Sequence, residues 1–179
     1  MSDASQFEAF VLEYQDMVFA TAVRLLASEA DAEDVAQTVF LKAFERFGEI
    51  GDSVEAPGWL KTVTTNLCLN HLTRYRARWR FFSELERDTG EGSVAFEASL
   101  AADVRSPLDT LARAAEQAQL EAALRALPDH QRVPIVLFHF EDRSYQEIAA
   151  LLGVSLGKVK TDIHRGRDAL KKYLVSAND

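Results

Sequence analysis

Basic side chains are concentrated near the end of the chain, where their spacing could serve nucleic-acid binding. Residues 156–172 carry six Lys or Arg side chains against two Asp. Such side chains bind phosphates, and polar groups early in a helix can read base edges in the major groove. The DNA-contact candidates of this segment are Ser155, Lys158, Lys160, Thr161, His164, Arg165 and Arg167. Because a charge run alone is more often only a solvated helix face, this prediction depends on the elements around it.

A second set of polar residues precedes the middle of the chain. Asn66, Asn70 and Arg74 follow one another at intervals of four residues, which places them on one helical face. Amide groups beside cationic groups can hold unpaired bases and their backbone. Arg76 extends the basic character of this segment, although arginines two positions apart alternate sides. These four residues give the segment a polar and cationic character.

Catalytic and metal-binding patterns are weak. Cys68 and His71 lie one turn apart, but no second pair completes a tetrahedral metal site. No phosphate-binding loop of the form G-x-x-x-x-G-K-[ST] or G-x-G-x-x-G is present. The sequence therefore predicts no enzyme, no cofactor, no metal and no small-molecule substrate. Cys68 is better interpreted as a small helix residue beside a surface histidine.

A helix-turn-helix pattern positions the basic segment. Ser144 and Glu147 form a capping box, and Gly153 ends the helix that follows them. Ser155 is the expected N-cap of the next helix, from about residue 156 to 173. Val159, Ile163, Gly166 and Leu170 are expected to face inward, which would leave the DNA-contact candidates on exposed or flanking arcs.

The remaining apolar spacing also indicates helices. The first is expected over residues 6–26, the second after Ser28 or Asp31 as N-cap, and the third from Pro57. Residues 48–56 are expected to form a polar loop. Two further helices are expected over residues 111–125 and 129–140.

The charge distribution divides the chain. Its 179 residues have a net charge of −8, and the two ends are richer in helical patterns than the acidic middle. We therefore expect an all-α protein with two small helical domains, 1–80 and 113–179, joined by a flexible acidic linker over 81–112. A lone cysteine, no signal peptide and no bilayer-length apolar run favour a cytoplasmic protein without membrane contact.

Two separate stretches resemble one known family. The segment SYQEIAALLGVSLGKVKTDIHRGRDALKKYL resembles region four, the promoter-binding domain, of the extracytoplasmic-function sigma factors (group IV) of bacterial RNA polymerase. DAEDVAQTVFLKAFERF and WLKTVTTNLCLNHLTR are similar to the polymerase-binding and promoter-melting helices of region two. Within the first segment, Lys158, Thr161 and Asp162 depart from the usual residues, and Asp162 replaces a typically basic one. Asn70 departs from a usual Asp in the melting helix.

The resemblance implies a role for each segment. The last helix would bind the minus-thirty-five element, and the third helix would bind and melt the minus-ten element. The residues implied to contact its separated strands are Asn66, Asn70, Arg74 and Arg76. The loop with Asp52 and Ser53 would capture a flipped base. The residues implied to bind core RNA polymerase are Asp31, Asp34, Gln37, Thr38 and Leu41. An anti-sigma factor is implied as a regulator, and the free protein is expected to be a monomer.

Two other functions remain open from the sequence. A conventional helix-turn-helix regulator would use residues 1–80 for sensing or dimerisation and would bind a palindromic site as a dimer. An adaptor of sigma-like form would bind a regulator and no promoter.

Overall fold

The structure, a computed structural model, describes residues 3–72 and 107–177, and its regular elements in these ranges are α-helices. The first group comprises α1 (Asp3–Leu26), α2 (Glu29–Glu45), α3 (Phe47–Ile50) and α4 (Ala56–His71). The second group comprises α5 (Pro107–Ala126), α6 (Asp129–His139), α7 (Tyr145–Leu152) and α8 (Leu156–Ser176). The predicted all-α class is confirmed. The segment predicted as a flexible linker falls mostly outside the described residues.

The first group is built around the apolar face of α1, which packs on α2 and α4. Ser28 is the N-cap of α2, and its hydroxyl accepts a hydrogen bond from the Asp31 amide at 3.3 Å. Val18, Ala22 and Leu25 of α1 are almost fully buried in this core. The expected start and end of the first helix are close to those observed.

The loop expected over residues 48–56 is partly wrong, because α3 occupies its first residues. Phe47 packs against Phe7 and Phe10, with ring centroids 5.2 and 5.5 Å apart, and Ile50 is buried. This apolar packing stabilises the short helix α3, which includes Gly48. The chain then turns at residues 51–55 before α4 begins.

The second group contains the predicted helix-turn-helix. Ser144 and Glu147 form the capping box in both directions, at 3.1 and 2.9 Å. Gly153 ends α7 in the left-handed region, with φ 66° and ψ 38°. The Ser155 hydroxyl then caps α8 by accepting a hydrogen bond from the Lys158 amide at 3.2 Å. α5 begins at Pro107, so the domain boundary that we predict at residue 113 falls inside a helix.

Close packing between α6 and α8 fixes the orientation of the last helix. Val159 and Ile163 are buried, Leu170 packs against the core, and Gly166 sits directly over α6. A methyl group at Gly166 would overlap the Ile135 side chain, which is itself buried. Because Gly166 has no side chain, α8 can approach α6 closely at this position.

The two groups also touch each other, since α1 contacts both α5 and α6. The buried apolar residues of the two groups belong to one continuous cluster.

We expect G166A to destabilise the protein by about 1–3 kcal/mol, because the added methyl group overpacks a filled contact. G157A is the matched control on the same helix, since nothing lies within 4 Å of a methyl group there. The helix propensity of alanine should make G157A neutral or up to about 1 kcal/mol more stable. Urea unfolding of the full chain measures both changes. Equal stability of the two variants would contradict the packing described here.

Candidate functional site

The exposed face of α8 carries part of the predicted DNA-binding set. Lys160 and Arg165 are exposed, and Thr161 and His164 are partly exposed beside them. The His164 Nε2 atom lies 3.5 Å from an Asp168 carboxylate oxygen one turn further on. Ser155 lies at the exposed N-terminal end of the same helix. These five side chains are placed together at the surface of the helix-turn-helix.

Lys158 does not share this surface, which corrects the expected exposure of its side chain. The Lys158 and Asp162 side chains are 4% and 5% exposed, and the ammonium nitrogen lies 2.9 Å from an Asp162 carboxylate oxygen. The reason is that α8 packs against α5, α6 and α7, so its buried arc is wider than a single apolar stripe. A buried charge requires such a counter-charge. Lys158 is thus placed to fix the helix and not to contact phosphates.

Arg167 lies at the boundary between the surface and the core. Its Nε and Nη2 atoms are 3.2 and 3.1 Å from His139 Nε2, and its guanidinium lies 5.6 Å from the centre of the Phe138 ring. Since Arg only donates hydrogen bonds, His139 Nε2 is the acceptor. Burial and then the Arg167 charge lower the pKa of His139 below its ordinary value. Arg167 therefore joins α8 to α6 and leaves part of its side chain exposed.

The polar face of α4 is placed as the spacing predicts. Asn66 and Asn70 are exposed, whereas Thr64 and Cys68 on the opposite side are buried. Burial raises the pKa of the Cys68 thiol to about 12, so the thiol stays protonated at neutral pH. His71 lies at the surface, as we predict. Arg74 and Arg76, which would extend this face, lie outside the described residues.

The turn before α4 contains two of the candidate residues, Asp52 and Ser53, and their side chains differ in exposure and hydrogen bonding. Asp52 is exposed, while the Ser53 hydroxyl accepts a hydrogen bond from the Glu55 amide at 3.2 Å. Val54, which lies between Ser53 and Glu55, is 94% exposed. The Ser53 hydroxyl thus helps to shape the turn, and Asp52 is the more accessible of the two candidates.

The polar residues predicted on α2 form a stripe whose members differ in surroundings. Asp34 and Thr38 are exposed, and the Thr38 hydroxyl donates to the Asp34 carbonyl at 3.0 Å. Asp31 lies 3.4 Å from His71 and so connects α2 with the end of α4. Gln37 lines an apolar groove on the other edge of this stripe.

This groove between α1 and α2 is a surface feature that the sequence did not predict. It encloses about 670 Å³, and the residues that line it are Phe7, Val11, Gln15, Asp16, Phe19, Glu33, Ala36, Gln37, Phe40, Leu41 and Phe44. Leu41 and Phe44 are 67% and 58% exposed, which is unusual for large apolar side chains so near each other. Leu41 therefore lines the same apolar groove as Phe40 and Phe44. The repeated Phe residues at positions 40 and 44 were the available signal.

No group of three or more His, Cys, Asp or Glu within residues 3–72 and 107–177 is arranged to hold a metal ion. None of the helices described here combines the length and the apolar composition needed to cross a membrane.

Comparison with known proteins adds matches to both groups of helices. Residues 10–78 match the family model described as Sigma-70 region 2, and residues 117–170 match the model described as Sigma-70, region 4. The order of the two matches is the one that the sequence predicts.

Whole-length relatives are also found. The chain is 31% identical over 173 residues to the RNA polymerase sigma-H factor of Pseudomonas aeruginosa, covering 96% of this chain and 88% of that protein. It is 28% identical over 172 residues to the ECF RNA polymerase sigma factor SigW of Bacillus subtilis, covering 96% and 90%. It is 35% identical over 175 residues to the ECF RNA polymerase sigma factor SigE of Mycolicibacterium smegmatis, covering 94% of this chain but 61% of that relative's length.

A solved structure shows a similar fold. It is the sigma factor RpoE in complex with the anti-sigma factor NepR from Bartonella quintana, with a TM-score of 0.50 and 24% identity. The match covers 94% of this chain and 96% of that one.

We expect D162A to destabilise the protein by about 3–5 kcal/mol, because it leaves the Lys158 ammonium buried without this counter-charge. D168A is the matched control, since Asp168 also pairs with a residue four positions earlier on α8 but is 59% exposed. The loss of stability in D168A should stay below about 1 kcal/mol. Denaturant unfolding measures both, and equal losses would contradict the buried position of the Lys158–Asp162 pair.

Proposed function

Because the chain belongs to the extracytoplasmic-function sigma factors of RNA polymerase, we propose that it binds core RNA polymerase and directs transcription to specific promoters. The observation that carries this proposal is the helix-turn-helix, whose second helix buries Val159 and Ile163 and leaves Lys160 and Arg165 exposed. That arrangement is the one in which a helix can enter the major groove. The matches to two separate sigma regions support the assignment.

We propose that α8 contacts the minus-thirty-five element. Lys160 and Arg165 would hold phosphates on either side of the groove, while Ser155, Thr161 and His164 would approach base edges or the backbone. Lys158 acts indirectly, because its ion pair with Asp162 fixes the start of the helix. Arg167 supports the same helix from the α6 side.

We propose that α4 and the turn before it contact the minus-ten element. Asn66 and Asn70 offer donors and acceptors to unpaired bases on one exposed face. Asp52 can accept hydrogen bonds from exocyclic amines of a flipped base. Arg74 and Arg76 remain predicted contacts to the backbone of the melted strand.

We propose that core polymerase binds the stripe on α2 together with the apolar groove. Leu41 and Phe44 supply apolar area, and Asp34, Gln37 and Thr38 supply hydrogen bonds beside it. A central apolar cluster with a polar rim is the usual composition of a protein interface. An anti-sigma factor, such as the one bound to the Bartonella relative, would compete for part of this surface.

The acidity of the chain suits a factor that acts only with polymerase. A net charge of −8 weakens non-specific attraction to DNA, so the free protein should bind promoters feebly. Polymerase would then add the missing contacts. We further propose that the protein acts in the cytoplasm, performs no catalytic step of its own and needs no cofactor.

The direct experiment is in-vitro transcription with core polymerase on a library of promoters. Transcripts from a defined subset, dependent on this protein, would support the proposal. A stable dimer that binds a palindromic site tightly without polymerase would instead support a conventional regulator, since half-sites mirror protein symmetry. Binding to a regulator with no promoter-dependent transcript would support an adaptor.

We expect L41E to weaken binding to core polymerase by at least about tenfold, because it places a charge in the apolar groove. L12E is the matched control, since Leu12 is 61% exposed on α1 and does not line the groove. Affinity is measured by titrating labelled full-length protein with core polymerase. Similar losses for the two variants would exclude the groove as the binding surface.

We expect the double variant K160A/R165A to weaken binding of the polymerase–factor complex to a selected promoter. Each lost phosphate contact should reduce the slope of log affinity against log salt by about 0.9. K171A/K172A removes the same charge from the exposed far end of α8 and should change the slope less. Promoter binding is measured at several salt concentrations, and an unchanged slope in K160A/R165A would contradict the assigned contacts.

A further inference from the structure

The contact between Arg167 of α8 and His139 of α6 depends on a single lone pair. The Nε and Nη2 atoms of Arg167 lie 3.2 and 3.1 Å from the same ring nitrogen, His139 Nε2. Because both arginine groups are donors, this nitrogen must accept, so the imidazole is neutral and carries its proton on Nδ1. The position of the Arg167 side chain is therefore tied to the protonation state of one histidine.

Aromatic side chains surround this contact on the α6 side. The guanidinium of Arg167 lies 5.6 Å from the centre of the Phe138 ring, and the His139 ring lies 4.9 Å from Phe138 at an interplanar angle of 88°. Tyr145 of α7 stacks on Phe138, with ring centroids 4.7 Å apart. A cation over an aromatic ring gains only about 0.5–1 kcal/mol at an exposed site. Hydrogen bonds to His139 are thus needed to hold Arg167 firmly on α6.

Arg167 lies on the side of α8 that carries residues proposed to face DNA. Lys160, His164 and Arg167 follow one another at intervals of four and three residues, so they form one row along the helix. Lys160 is exposed, and His164 and Arg167 are partly exposed. Arg167 is about 10 Å from Lys160 along the helix axis, at ~1.5 Å per residue. A guanidinium that is not held by His139 can therefore turn to a phosphate on this side of the helix.

Burial and the charge of Arg167 keep His139 neutral near pH 7. Both lower the pKa of His139, and burial is the larger cause. The ring therefore takes up a proton only at more acidic pH than an ordinary histidine, whose pKa is about 6.5. Because His139 is partly exposed, water can deliver that proton.

Several other charged and titratable side chains belong to the elements around this end of α6. Arg24 on α1 lies over the Phe140 ring, and Glu141 in the following turn accepts a hydrogen bond from Thr21. Among the described residues, Arg167 is the one whose charge lowers the pKa of His139. The remaining groups on these elements are Arg143 of the same turn, Tyr145 and Glu147 of α7, and His164, Asp168 and Lys171 of α8.

We propose that His139 is a positioning residue for promoter binding, which holds Arg167 on α6 while neutral and releases it to a DNA phosphate when protonated. This inference rests on the proposed function of α8. Protonation places a hydrogen on Nε2, which removes the acceptor and sets two cations against each other. The phosphate backbone beside α8 then supplies an anionic acceptor for the guanidinium. Promoter binding thus becomes tighter as the pH falls through the pKa of His139.

The first experiment follows His139 in the free full-length protein by an NMR titration from about pH 8 to about pH 5. At the upper end we expect the ring proton on Nδ1, and the Arg167 Nε–H signal should shift as the ring titrates. H139Q is the comparison, because the glutamine carbonyl can accept from Arg167 and gains no proton in this range. A neutral ring that carries its proton on Nε2, or an Arg167 signal that moves equally in both proteins, would overturn the proposal.

The second experiment measures binding of the polymerase–factor complex to a promoter at both ends of this pH range and at several salt concentrations. One added phosphate contact steepens the slope of log affinity against log salt by about 0.9. On acidification the slope should steepen by that amount more in the native chain than in H139Q, since the other histidines titrate in both. H71Q is the matched control, because it removes a histidine of the first group that is 45% exposed, and it should behave as the native chain does.

Equal changes of slope in the native chain and H139Q, or a change in H71Q as small as that in H139Q, would contradict the positioning role. H139L removes the acceptor without adding a charge, so its slope should already be steep at the higher pH. A histidine that only stabilised the fold would instead give H139L a slope no steeper than that of the native chain at the higher pH.

R167Q separates release of Arg167 from a direct phosphate contact by protonated His139. The additional steepening on acidification should be absent in R167Q, and its persistence would exclude the proposed role of His139. Failure of the native chain to bind core polymerase, or any promoter at either pH, would instead overturn the proposed function. The NMR titration of the free protein would still report on the contact between His139 and Arg167.

Discussion

The buried side chain of Arg132 joins the two groups of helices, and the positions of several elements depend on it. A guanidinium group that is almost fully buried must have its donors satisfied, and here they are satisfied by carbonyls from the end of α1 and from the turn before α6, with Asp129 as counter-charge. Removing any of these acceptors would leave a buried donor unpaired. The end of α1, the α5–α6 turn and the start of α6 are therefore positioned together. The orientation of α8 follows, because α8 packs on α6 through Gly166.

The electrostatic character of the chain has to be considered locally. The net charge of −8 describes the whole molecule, but the exposed part of α8 carries Lys160 and Arg165 on one surface. The Lys158–Asp162 pair adds no net charge to that surface because it is internal and balanced. The surface proposed to face DNA thus has fewer cations than the sequence of α8 suggests. We therefore expect the free protein to have only modest affinity for DNA.

Much of the fold could be predicted because local signals agreed with one another. The Ser144–Glu147 capping box, the left-handed Gly153 and the Ser155 N-cap are each specified by two or three neighbouring residues, and all three occur as predicted. Ser28 was one of two predicted N-caps, and the structure selects it. Such features depend on hydrogen bonds between residues close together in the chain, so the local sequence predicts them.

Where the sequence-based predictions were wrong, the environment of the residue depends instead on which other helices surround it. The exposure of Lys158 could not be judged from the α8 pattern alone, since three helices contact α8 and widen its buried arc. The helical turn at Phe47 forms because Phe7 and Phe10, almost forty residues earlier, lie beside it. The groove at Leu41 likewise needs α1 as its second wall. The apolar periodicity of one helix does not predict long-range packing of this kind.

Several helices in this chain have two faces with separate tasks, and the small size of the protein explains why. A small helical body has a high ratio of surface to volume, so it cannot bury every large apolar side chain. α2 places Val35 and Val39 in the core and leaves Leu41 and Phe44 on the groove. α1 contributes the core of the first group along its length, the second wall of the groove near its start and contacts with the second group of helices near its end. These surfaces occupy different stretches of one helix, so the residues of α1 that line the groove are separate from those that hydrogen-bond to the second group.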